Sequence, residues 1–302
     1  LETDFAAITR AGVQLLAGRD GIQFVMPAGD DYQACIDFIR QMASDQLILW
    51  LRAMPGRDAV GELLGCSGVE DIRRIHLQTK GLQAPTRLSV LHQLRTLSAD
   101  SAVAFDFSGM VELEELGGVW SEQWTGLEYC SALRSLHVSA FRRKTLEGLP
   151  RLANLASLTL IQTSLVSCQG MEAATELEEL SVSYARGLRD ITALASLPRL
   201  RRVEFESCRN IVQPEVLGSL PALEFLLLKR FGSLPSLSFI EGNKRLHGLA
   251  LIDSKPADMD LGVCLRHPTL RRLGATGFKG AMPPVAEVER QLEARLSHEH
   301  DA

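Results

Sequence analysis

The 302 residues contain no apolar run that could cross a bilayer, which takes roughly 18 or more residues; the run from Leu47 to Leu51 stops far short. The start, Leu1-Glu2-Thr3-Asp4, offers no basic stretch ahead of an apolar core, so no signal peptide is expected. Cys35, Cys66, Cys130, Cys168, Cys208 and Cys264 stand far apart with no Cys-x-x-Cys pair. The cysteine-rich flank of a secreted repeat protein is therefore missing, and the thiols are expected as small buried apolar groups in a reducing cytoplasm. Charge of one sign is lacking too. Lysines and arginines number 32 against 37 aspartates and glutamates, a formal net charge of −5 with the bases scattered. That balance argues against nucleic acid or an anionic membrane as partner. Aromatics make up 6% of the chain, modest for a core that must then be mostly leucine. No Gly-x-Ser-x-Gly, His-Glu-x-x-His or Walker-type glycine loop occurs, so no catalytic residue, metal or cofactor is expected.

What the chain has is a repeat. A hexapeptide with large apolar residues at its first and fourth positions and an apolar or small residue at its sixth begins at Ile72, Leu94, Leu113, Leu133, Leu155, Leu177, Leu200, Leu223, Leu246 and Leu270. A nearly fixed period of this kind marks a stacked array in which each unit packs on its neighbours. Strand alternation turns the third and fifth positions outward. These are Arg74 and His76, Thr96 and Ser98, Glu115 and Gly117, Ser135 and His137, and Ser157 and Thr159. They continue with Glu179 and Ser181, Arg202 and Glu204, Phe225 and Leu227, Gly248 and Ala250, and Arg272 and Gly274. Glu115, Glu179 and Glu204 interrupt any basic stripe on that face, against a nucleic-acid groove. His76 and His137 lie three strands apart, about 14 Å, too far to share a metal.

The hexapeptides resemble the leucine-rich repeat family. The resemblance covers residues 67–282 and implies an α/β solenoid, with a curved parallel sheet on the concave side and short helices or turns on the convex side. At about 4.8 Å per strand, nine intervals would span roughly 43 Å. The segments Asp190 to Pro198 and Pro214 to Pro221 resemble the short helical turns of the family's bacterial and phosphatase-regulator-like repeats, each ended by a proline that cannot continue a helix. Where the family places an Asn or Cys, this chain has Lys80, Ala102, Ser121, Phe141, Thr163, Ala185, Cys208, Phe231, Ser254 and Phe278. An irregular solenoid follows, with Cys208 and the Ser and Thr residues as the candidates to take the Asn's part, and water or backbone satisfying the other turns. Residues 1–66 read as an α/β cap: a strand at Gly21 to Met26, a helix capped by Asp30 or Asp31 and running to Met42, and a buried strand at Leu47 to Leu51. In residues 283–302 a capping helix is expected with Val285, Val288, Leu292 and Leu296 on one face, then a frayed tail.

The resemblance implies a non-enzymatic protein-binding module, cytoplasmic and bacterial in character, acting as an inhibitory or immunity-type binder or as a secreted effector. The expected contact residues on the sheet are Arg74, His76, Glu115, His137, Glu179, Arg202, Glu204, Phe225 and Leu227. Trp120, Phe141, Arg142 and Tyr184 are expected along a rim where strands pass into loops, because Trp, Tyr and Arg dominate binding hot spots. Two contrasting readings are a hydrolase-like site, formed across repeats or in residues 1–66, and an adaptor fragment of a larger chain. A pocket holding His76 or His137 within hydrogen-bond reach of Cys, Ser or a carboxylate would favour the hydrolase.

Overall fold

The computed structural model describes residues 14–18, 21–26, 32–42, 47–52, 58–78, 86–276 and 278–300. Two compact units, residues 1–138 and 139–302, emerge, and both use the hexapeptide in the same way. Its third residue starts a strand, so alternation sends the fourth and sixth residues inward and leaves the third and fifth outside.

In residues 1–138 the strands β1 (Gln14–Gly18) and β2 (Gly21–Met26) pair antiparallel. Helix α1 (Tyr32–Met42) leads to β3 (Leu47–Arg52), which lies parallel to β2. The short helix α2 (Ala59–Leu64), capped by the Asp58 side chain on the Gly61 amide, precedes β4 (Arg74–Gln78). The expected strand, helix, strand order is present, although the expected cap at Asp30 or Asp31 lies outside the described residues, as does Lys80. Register pairing of β3 with β4 adds these strands to the repeat sheet, a continuity that the unpatterned sequence before residue 67 does not disclose. Two contacts fix α1: Gln33 exchanges hydrogen bonds with the Ser67 backbone at 3.0 and 2.8 Å, and Arg40 pairs with Asp71 at 2.8 Å. Beyond β4 the sheet continues with β6 (Thr96–Ala99), β8 (Glu115–Val119) and β9 (Ser135–Ser139). Strands β5 (Thr86–Arg87) and β7 (Phe105–Asp106) form a separate small pair.

In residues 139–302 six strands stand in unbroken parallel register: β10 (Ser157–Ile161), β11 (Glu179–Ser183), β12 (Arg202–Glu206), β13 (Phe225–Lys229), β14 (Gly248–Ile252) and β15 (Arg272–Ala275). Leu158, Leu180, Val203, Leu226 and Leu249 stack in the interior at 1% exposure or less. Burying each such side chain contributes about 1.5–3 kcal/mol. The returns are 3-10 turns, among them Thr192–Ser196 and Pro214–Ser219, because too few residues are available for a longer α-helix. Helix α3 (Gly262–Arg266) and helix α4 (Val285–His300) complete the unit. Val285, Val288 and Leu292 of α4 are buried, as the spacing predicts; the Leu296 side chain lies outside the described residues.

Strands β9 to β14 are each left through a left-handed residue. Ala140, Gln162, Tyr184, Ser207, Arg230 and Asp253 have φ between 46° and 57°, a conformation that costs a non-glycine residue roughly 1–2 kcal/mol. The turn is held because five of their amides donate to the last strand carbonyl of the following repeat, as Gln162 does to Ser183 and Tyr184 to Glu206, at 2.8–2.9 Å; the Asp253 amide donates to Thr276 Oγ1.

Candidate functional site

The outward rows of residues 1–138 follow from the register. Trp50, His76, Ser98 and Gly117 share one row, and Arg74, Thr96 and Glu115 the next. The Trp50 ring stacks on His76 at 4.1 Å and 28°, and His76 Nδ1 lies 2.6 Å from Ser98 Oγ. Partial burial lowers the His76 pKa, against an opposing pull from Asp100, which favours the neutral ring. Thr96 Oγ1 donates to Glu115 at 3.2 Å. His137 is exposed on β9. Among the described residues, no three His, Cys, Asp or Glu side chains gather as metal ligands would.

In residues 139–302 one row runs Glu179, Arg202, Phe225, Gly248, Arg272, and its neighbour Ser181, Glu204, Leu227, Ala250, Gly274. The Arg202 guanidinium sits over the Phe225 ring at 4.1 Å and also pairs with Glu204 at 2.5 Å, so a cation is stacked and neutralised at once. Phe225 leans over Gly248, where a Cβ would meet the ring at 2.8 Å. From β13 to β15 the face therefore steps down from Phe225 and Leu227 to Gly248, Ala250 and Gly274. That step is the floor of a groove of about 800 Å³, with Phe225 on one side and Glu289 and Glu293 of α4 on the other. Glu289 also accepts from the Ala275 amide at 3.4 Å. Of the groove's parts, the small residues were visible in the hexapeptides; the acidic wall was not, since nothing in the sequence of α4 says which strand it faces. Trp50 was likewise missed, lying outside the repeat pattern.

Two expected rim residues are not displayed. Phe141 is wholly buried, and the same place in later repeats, Thr163, Ala185, Cys208, Phe231 and Ser254, is at most 7% exposed whatever its chemistry. This position points into the core, so the aromatic ring fills the space an Asn would occupy. Thr163, Ser254 and Cys208 do take the Asn's part: Thr163 Oγ1 donates to the Phe141 carbonyl and accepts from the Leu165 amide, Ser254 accepts from the Phe231 amide, and Cys208 Sγ donates to the Val182 carbonyl. Trp120 is 6% exposed, packed at 5.0 Å against Trp124, which meets Phe107 edge-on. Its indole N–H donates to Glu122 at 2.7 Å. Arg142 and Tyr184 are exposed, and the Tyr184 hydroxyl donates to Glu206, which also accepts from Lys229 and Arg230. Burial pushes the Glu206 carboxyl up, but these bonds together outweigh it and hold the group below its usual range.

No family profile matches the sequence, and comparison with curated proteins finds no match. Solved structures do match. An internalin from Listeria monocytogenes superposes with a TM-score of 0.51 at 14% identity, over 76% of this chain and 78% of that one. The leucine-rich repeat domain of a type III effector, XopL, gives 0.41 at 19% identity, over 79% and 75%. A leucine-rich repeat protein of Leptospira interrogans gives 0.33 at 13%, over 76% and 78%. The internalin likeness establishes the fold, an α/β leucine-rich-repeat solenoid.

Proposed function

We propose that this chain, a leucine-rich-repeat protein by fold, is a protein-binding module whose partner seats on the sheet face of residues 139–302, in the groove between Phe225 and α4. The step from Phe225 and Leu227 to Gly248, Ala250 and Gly274 carries this reading. A floor of small and apolar residues flanked by charged groups, Arg272, Glu289 and Glu293 among them, can seat and orient a partner's side chains, and Phe225 with its stacked Arg202 supplies the kind of anchor that dominates such contacts. A module of this type acts by occupancy, as an inhibitory binder or an effector does. Its six free thiols support a reducing cytoplasm as its place of work.

Affinity purification from the native cell with mass spectrometry, run in parallel on the wild type and on Gly274→Trp, tests the proposal. A Cβ at Gly274 meets no atom within 4 Å, so the indole should fill the groove and leave the fold intact by circular dichroism. The expected result is a partner retained by the wild type and weakened at least tenfold by the variant; equal recovery would overturn the groove as the site. The 2.6 Å approach of His76 to Ser98 motivates a second reading, a hydrolase. Fluorophosphonate labelling that disappears in Ser98→Ala would support it. No labelling would leave binding as the function.

A further inference from the structure

A second surface stands on the loops that follow the strands of residues 139–302. Nine residues after each hexapeptide begins come Arg142, Ser164, Arg186, Arg209, Gly232 and Lys255. The stacking of this row is fixed by backbone: the Ser164 amide donates to the Phe141 carbonyl beside Arg142, Asn210 Nδ2 donates to the Arg186 carbonyl at 2.6 Å, and the Arg209 carbonyl lies against Gly232. Two or three residues further on, a second row is laced together in the same way. Val166 donates to Lys144, Arg189 to Val166 and Val212 to Arg189, at 2.8, 2.9 and 3.1 Å.

The side chains of these rows lack the ion pairs that several other bases of the unit make. Arg199 pairs with Glu176, Arg201 with Glu178, and both Lys229 and Arg230 with Glu206, each base reaching a carboxylate of the preceding repeat. Arg142, Lys144, Arg186, Arg189 and Arg209 are all exposed, and among the described residues none has a carboxylate in ion-pair reach. Arg186 instead has Arg209 on the next rung, a like-charge neighbour about 4.8 Å away along the stack. The nearby carboxylates are engaged elsewhere: Asp190 accepts from Ser167 and Thr192, and Glu206 holds Lys229, Arg230 and Tyr184. Between the bases stand Val166 and Val212, 38% and 67% exposed. The chain's acidic excess lies in residues 1–138, whereas residues 139–302 carry slightly more base than acid, so the ridge is not cancelled by its own unit.

We propose that this ridge docks an acidic protein segment in which carboxylates alternate with apolar side chains, the carboxylates meeting Arg142, Arg186 and Arg209 and the apolar groups meeting Val166 and Val212. Unpaired guanidiniums are pre-set for bidentate carboxylate contacts. Nucleic acid is the poorer fit, because single strands are held by stacking on aromatic rings and the two rows contain none. The surface is separate from the groove between Phe225 and α4, which none of these residues lines.

Fluorescence anisotropy with a labelled peptide of alternating glutamate and valine, about a dozen residues long, at about 50 mM salt where surface charge is weakly screened, tests it. The full chain should bind, and Arg186→Glu with Arg209→Glu should weaken binding at least tenfold. Arg245→Glu with Lys279→Glu, an equal change of charge on other exposed bases, should change it less than twofold, and Gly274→Trp should leave it unaltered even if the groove proves to have no partner. Melting temperatures confirm that the variants fold. Equal losses in the two double variants, no binding by the wild type, or tighter binding to a single-stranded oligonucleotide or to phosphatidylserine vesicles than to the peptide would each overturn the proposal.

Discussion

Phe141, Thr163, Ala185, Cys208, Phe231 and Ser254 occupy one place in successive repeats and range from a methyl group to a phenyl ring, yet all are buried. The place is defined by the backbone turn, and the side chain adapts to it: rings fill volume, while hydroxyl and thiol groups bind the loop. Trp120 belongs to the interior for a related reason, since its indole closes a cluster with Trp124 and Phe107. Trp120→Ala should therefore lower stability by about 3–5 kcal/mol, read as a shift in the urea midpoint. Tyr184→Ala, at a ring 41% exposed, should cost less than about 1 kcal/mol. Equal midpoints for Trp120→Ala and the wild type would contradict the packing. Leucine positions were legible in the sequence because a core ladder has a strict period, and so were the outward rows such as Phe225 and Leu227. The Trp120 and Phe141 rim was misjudged because an aromatic next to a strand end looks the same in sequence whether it lines an edge or replaces a missing Asn.

At the scale of the element, the 3-10 returns of residues 139–302 contain polar groups that the hydrophobic pattern passes over. Leu197, Leu220, Asn243 and His267 recur one repeat apart, and all four are buried. Asn243 Nδ2 donates to the carbonyls of Leu217 and Leu220 at 2.9 and 3.1 Å. His267 Nε2 donates to the Ile240 carbonyl at 3.0 Å, while its Nδ1 accepts from the Leu270 amide at 3.1 Å. Each ties one return to the previous one, and the change from Leu to Asn and His at a fixed period was the signal available. The His267 ring must stay neutral to accept at Nδ1, and burial lowers its pKa despite the carbonyl contacts that oppose it. An unfolded histidine takes up a proton near pH 6.5, so below that pH the unfolded chain binds more protons than the native one and stability falls as pH falls. His76 adds to the same slope, being lowered by desolvation. The melting temperature should drop between pH 7 and pH 5. His267→Gln should melt lower than wild type at pH 7 yet show a shallower acid slope. An unchanged slope would show that His267 titrates normally.

For the molecule as a whole, the six thiols give a test of every core layer at once. Cys35, Cys130, Cys168, Cys208 and Cys264 are buried and Cys66 is partly exposed, with no disulfide among them. Burial pushes Cys208 up to about 11 and Cys264 up to about 12, and raises Cys168 further. At pH 8 their thiolate fractions, and with them their reactivity, should be very small. Ellman's reagent should find one fast equivalent on the native protein, lost in Cys66→Ser, and six after denaturation. A second fast equivalent in the native state would mean that a layer of the core is open to solvent. The left-handed exits at Ala140, Gln162, Tyr184, Ser207, Arg230 and Asp253 have a related consequence. Because an inter-repeat amide bond, and not the residue's identity, sets the exit, six unlike side chains leave the strands along one path. The interior then acts as grammar and the rows beside it as text: a lineage could rewrite what this surface says, one rung at a time, while the backbone that displays it stays the same.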